Sequence, residues 1–271
     1  MTLNFNHRRL FAITYRYFIL LRNNFTRSFQ ILVWALLDVV LWGFITKYLD
    51  SIGNPGFSFV PVLLGAVTLW AFMSRAMQGV STPFLEDVWS RNLLNFFASP
   101  LTIGEYLGGL ILASIGTSAL GLFAMTMLAA WLFGLALWTL GAAFAAFIVL
   151  LFIFGIGLGI IAIGIVLRLG PSAEWFVWPI PTILTPFVGV YYPISVLPLW
   201  MQVISKVLPP TYVFEGLRGI VERQTIDWGA LGLSFVLDVI FLGLSYAFFT
   251  YIYRRAVRSG AIARYSAENF Q

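Results

Sequence analysis

The chain contains no cysteine and a single histidine, His7, which precedes every apolar stretch. The first absence excludes disulfides, thiolate metal sites and cysteine nucleophiles, and the second excludes histidine-dependent chemistry within a membrane. Charge is also scarce. Only 10 % of residues are Asp, Glu, Lys or Arg, where soluble chains carry roughly 25 %. No G-x-x-x-x-G-K-[ST] sequence occurs, so the chain lacks the loop that cradles nucleotide phosphates. Gly155, Gly157 and Gly159 lie in a fully apolar stretch with no strand before it, and close helix packing is their expected use. The net charge of +5 is mild and does not suggest a nucleic-acid partner. Apolar residues dominate instead, at 60 % of the chain with a mean hydropathy of +0.91. This is the composition of a polytopic membrane protein.

Residues 4–27 form a candidate amphipathic helix. At 100° per residue Leu10, Phe11, Thr14, Tyr17, Phe18, Leu21 and Phe25 share one face, and Arg9, Arg16, Asn23 and Arg27 share the other. The pattern suits a helix lying in the membrane interface, or a cytosolic helix packed on a partner. The first span is expected from Ser28 to about Tyr48, long enough to cross at 1.5 Å per residue. It is too long for a cleaved leader and carries Asp38, so it is expected to be retained. Asn54-Pro55-Gly56 marks a turn, and a second span follows from about Ser58 to Gly79. A polar break covers Ser81–Tyr106. Further spans are expected near Leu107–Phe133, Leu140–Leu167, Ala173–Val190 and Ala230–Tyr253, with a tight hairpin at Gly134 between Trp131 and Trp138.

The stretch from Pro171 to Arg223 has prolines at 171, 179, 181, 186, 193, 198, 209 and 210. Each removes a backbone donor, so no single straight helix can run through it. Broken helices survive in hydrocarbon only against protein or a water-filled cavity. A spanning helix up to about Val190 is therefore expected, then two short helices, about Ser195–Val221, folded back into the outer leaflet. Glu215 and Arg218, three residues apart on the second, can meet there.

Lysine and arginine placement sets the orientation. With the amino terminus inside, twelve arginines fall on the inner side, from Arg8 through Arg75, Arg91 and Arg168 to Arg264. Lys47, Lys206, Arg218 and Arg223 fall outside. Both termini are expected in the cytoplasm.

Asp38 and Asp238 are the acids set well inside spans, and such groups are functional candidates. They read either as proton-coupling sites of a secondary transporter or as groups facing a wet cavity or a neighbouring helix. No cation is evident at the depth of Asp38, although Arg75 lies close enough to the inner surface to snorkel. Trp34, Trp175, Trp178, Tyr191 and Tyr192 are candidate lining for a conduit, because aromatic faces stack on sugar rings and slide along acyl chains. The break itself, STPFLEDVWSRNLLNFFASPLTIGEY, is too apolar for a solvated loop and too polar for a span, so it should dock on something.

Two stretches carry a resemblance. Tyr192-Pro193-Ile194, Leu197-Pro198-Leu199-Trp200 and Leu208-Pro209-Pro210-Thr211-Tyr212, with Glu215 and Arg218, resemble the carboxyl-terminal signature of ABC-2-type transporter permeases. Asn92-Leu93-Leu94-Asn95, then Ser99-Pro100-Leu101-Thr102 and Glu105, are similar to the region after the second span in that family. The resemblance implies an all-α integral membrane fold: six transmembrane helices, an N-terminal interfacial helix, and a re-entrant outer-leaflet hairpin between spans five and six. It implies one domain over residues 1–271, divided into 1–27, the spans 28–253 and a cytoplasmic tail 254–271. The 84–97 segment then becomes a coupling element for a separate ATPase, with Phe84, Glu86, Asp87, Trp89, Arg91, Asn92, Asn95 and Phe96 as contacts. The chain itself would bind no cofactor, with ATP and Mg held on the partner. A homodimer with two ATPase copies in a bacterial inner membrane would export a lipid-linked glycan, a lipid or a drug. An ion-coupled transporter using Asp38 and Asp238, or a non-transporting scaffold, are the other readings.

Overall fold

The computed structural model describes residues 6–52 and 60–259 of the chain. The expected turn at Asn54–Gly56 and the end of the tail lie outside them. The described residues form helices joined by short connections, with no strand among them. Helix α1 spans His7–Asn23, α2 Phe25–Ile52, α3 Gly65–Trp89, α4 Leu93–Ala98 and α5 Ile103–Phe133. They are followed by α6 (Ala142–Leu169), α7 (Ile180–Val188), α8 (Leu199–Val207), α9 (Pro209–Arg223) and α10 (Trp228–Arg258). A π-helical turn, Val60–Leu64, leads into α3. Among the described residues, Val60–Trp89, α5, α6 and α10 are long and apolar enough to cross a membrane.

The centre is α3, packed between α5 and α6. Two glycines of α6 set that distance. A Cβ on Gly155 would lie 2.7 Å from the Met73 carbonyl oxygen, and one on Gly159 would lie 2.8 Å from that of Met77. Only glycine permits this approach of two backbones. The opposite side of α6 packs on α10, where Phe154 stacks on Phe241 with centroids 4.8 Å apart. Helix α5 starts with a capping box: Thr102 accepts from the Glu105 backbone, and the Glu105 side chain accepts from the Thr102 backbone. It ends at Gly134 (φ 68°), and the chain returns through a 3-10 turn at Leu137–Leu140 and Gly141 (φ 57°) to α6. The tight hairpin there matches the sequence expectation.

Three expectations need correction. The second apolar helix does not stop near Gly79 but continues to Trp89, with Phe84, Leu85, Asp87 and Val88 buried. Its polar groups find local partners, such as Ser81 Oγ donating to the Met77 carbonyl at 3.1 Å, so polarity did not end the helix. The faces of α1 also differ from the 100° projection. Ile13, Tyr17 and Leu21 are buried while Phe11 is 60 % exposed, because α1 lies on α5 of its own chain. Finally, Ala173–Val190 is not one helix. A 3-10 turn, Pro171–Phe176, precedes the nine-residue α7. Pro181 lies in the first turn of α7, where a missing N–H costs nothing.

Candidate functional site

A groove runs along α3. Its larger part, about 500 Å³, lies between α2, α3, α7 and the Tyr191–Tyr192 turn. It is lined by Trp34, Asp38, Trp42, Trp70, Ser74, Arg75, Gln78, Trp178, Thr182 and Thr185, among others. A second part of about 300 Å³ continues past Thr82 to Glu86, with Tyr17 and Leu21 of α1 as its wall. Trp34, Arg75, Gln78 and Trp178 line both parts, so the two are one track. Trp42 and Tyr191 stack at its edge with centroids 4.8 Å apart.

Of the expected conduit residues, Trp34, Asp38, Trp178, Tyr191 and Tyr192 line this groove. Trp175 does not; it is 76 % exposed on the 3-10 turn. Arg75, expected near the inner surface, also lines this groove. Its stem crosses α5 at Gly121, where a Cβ would lie 2.7 Å from Cδ. Arg75 shares the larger cavity with Asp38. Asp38 therefore has a cation in the same cavity. The sequence does carry a signal for the groove. Ser74, Gln78, Thr82 and Glu86 recur every four residues, which places them along one side of a helix. Asp238 is elsewhere: it faces inward from α10, fully buried, with no hydrogen-bond partner for either carboxyl oxygen among the described residues.

The end of α3 near Trp89 is held by a polar cluster. Arg16 donates to both Asp87 oxygens, at 2.6 and 3.3 Å, and the Tyr106 hydroxyl donates to Asp87 Oδ2 at 2.8 Å. Burial works against the Arg16 charge, but the Asp87 hydrogen bond and charge outweigh it and leave the Arg16 pKa raised. The guanidinium also lies 4.8 Å from the Phe96 ring centre. One residue earlier in α5, Glu105 accepts from the Asn6 backbone at 2.6 Å and lies 3.7 Å from Arg9. Together these contacts clamp α1 to α3 and α5. Phe84 (0 % exposed) and Asp87 (1 %) are thereby occupied inside the chain. Of the expected contact residues, Trp89, Arg91 and Asn95 are exposed, and Asn95 donates to Asn92 at 2.9 Å. Trp89 Nε1 donates to Glu174 at 2.5 Å and links this end to the turn before α7.

At the other end of α7 the expected Glu215–Arg218 pair forms, with Nη1 2.9 Å from Oε1. Its neighbours were not foreseen. Arg218 Nη2 donates to the Gly189 and Val190 carbonyls, and Glu215 accepts from the Ile194 backbone at 3.1 Å. A helix end leaves carbonyls without partners, and Arg218 supplies donors for those after α7. Ser205 Oγ donates to the Phe187 carbonyl at 2.5 Å, holding α8 against α7.

The sequence model of the ABC-2 type transporter family matches residues 8–221, from α1 to the last turn of α9. The chain belongs to that family. It is a multi-pass membrane protein and the permease subunit of an ABC transporter, a kind of subunit that works with an ABC ATPase. Comparison with curated proteins gives no match.

Proposed function

We propose that the chain is half of an ATP-driven exporter that moves an amphiphile outward across a bacterial inner membrane. Two copies form a homodimer around the paired grooves, with two ATPase chains beneath. In this reading α2, Val60–Trp89, α5, α6, the 171–188 segment and α10 are the six spans, both termini are cytoplasmic, and α1 lies in the interface. Helices α8 and α9 re-enter the outer leaflet. The observation that carries the reading is the groove along α3. Tryptophan and tyrosine faces alternate there with Asp38, Ser74, Arg75, Gln78 and Thr82, a lining that suits a substrate with an apolar chain and a polar head. The residues 89–95 form the docking surface, with the exposed Trp89 as the candidate anchor.

The test is transport in inverted vesicles containing the chain and its co-purified ATPase. ATP should drive accumulation of a fluorescent long-chain amphiphile, and Trp34→Ala with Trp178→Ala should reduce the rate at least tenfold while ATPase association persists. No co-purifying ATPase, or an undiminished rate in the double variant, would overturn the proposal.

A further inference from the structure

Arg75 is the cation at the junction of the two groove segments, near the middle of Val60–Trp89. A charge at such depth requires compensation. The Nε is buried without a hydrogen-bond partner, and no carboxylate lies within ion-pair distance of Arg75 among the described residues. Asp38 acts on it only across the cavity. Glu86, at the far end of the smaller segment, also feels the charge of Arg16. The five N–H donors of a guanidinium form a rigid fork that matches two oxygens of a phosphate or carboxylate. The glycine at 121 lets the stem lie flat against α5, and Trp34 and Trp178 stand at the same junction with apolar faces.

We propose that Arg75 is the recognition site for an anionic oxygen group, a phosphate or carboxylate borne by the amphiphile, and that Asp38 serves as its counter-charge when the groove is empty. The inference rests on reading the groove as the substrate path. It assigns the two residues opposite effects: Arg75 attracts the anion, and Asp38 competes with it.

The experiment uses the full chain in nanodiscs of zwitterionic lipid and measures saturable binding of tritiated dodecyl phosphate. Arg75→Gln should weaken binding at least tenfold, and Asp38→Asn should tighten it several-fold. Dodecyl maltoside should not displace the probe, since a recognised head must be anionic. Displacement by millimolar inorganic phosphate would identify a site for the free anion, and failure to displace would identify a lipid-borne one; both support the shared chemistry. If Arg75→Gln does not insert, Arg75→Lys keeps the charge without the fork and should weaken binding a few-fold. Unchanged binding in the arginine variants, loss of binding in Asp38→Asn, or binding of dodecyltrimethylammonium in place of the phosphate would each overturn the inference. The exporter reading fails on a different result, the absence of a co-purifying ATPase from the unmodified chain.

Discussion

Asp87→Ala separates a structural role from a docking role. Asp87 is 1 % exposed and accepts from the buried Tyr106 hydroxyl and from Arg16, whose side chain is 35 % exposed. Removing the carboxylate leaves the tyrosine hydroxyl buried without its acceptor, which costs about 1–3 kcal/mol. Arg16 can turn toward solvent, so its lost ion pair adds only about 0–1 kcal/mol. A sum of roughly 2 kcal/mol is about a thirty-fold increase in the population with α1 detached, since about 1.4 kcal/mol is tenfold. Limited proteolysis at the α1–α2 junction, beside Asn24, reads that population when cleavage is slower than reclosing. Cutting should accelerate by about that factor, and Tyr106→Phe, which removes only the hydroxyl donor, should cause a much smaller change. Association with the ATPase should fall only as far as α1 is lost. If Asp87→Ala abolishes ATPase association while proteolysis stays at the wild-type rate, Asp87 is a contact residue and the clamp argument is refuted.

Gly155→Leu should force α3 and α6 apart, because its first side-chain atom already meets backbone; a loss of about 1–3 kcal/mol would appear as a lower unfolding temperature, and wild-type stability would contradict the packing. Arg218→Ala should remove the donors to the Gly189 and Val190 carbonyls and increase hydrogen exchange at residues 187–194, while α1 and α5 stay protected. Replacing Pro179 and Pro181 together by alanine should extend α7 backward and slow transport without affecting assembly; unchanged transport would show that the late start of α7 is not used. A cysteine placed at Ser51 should react with an impermeant reagent in intact cells, and one at Ser259 only after permeabilisation. Labelling of both from outside would defeat the orientation.

Long apolar helices, the Gly134 hairpin and the Glu215–Arg218 pair were legible because each depends on residues near one another in sequence. The end of α3 was not. Ser81, Glu86 and Asp87 look like the exit from an apolar span, whereas Ser81 bonds within the helix and Arg16 and Tyr106, supplied by other helices, satisfy the buried Asp87. Arg75 was hidden for the same reason. Its place near one end of the expected span suggested an escape to the surface, whereas the longer helix puts it near the middle. Proline content located the broken region correctly but not its breakpoint, since a proline can begin a helix as readily as interrupt one.

The four-residue spacing of Ser74, Gln78, Thr82 and Glu86 also has a geometric consequence. Four residues turn an α-helix by about 400°, so each step drifts about 40° around the axis, and the three steps from Ser74 to Glu86 add about 120°. The polar track is therefore a slow spiral on α3. At its start the facing wall belongs to α7, and at its finish to Tyr17 and Leu21 of α1. Anything that follows the track passes from a wall fastened by Arg218 to one fastened by Asp87. The two fastenings lie on different helices with different partners, so the two walls of the groove are held independently.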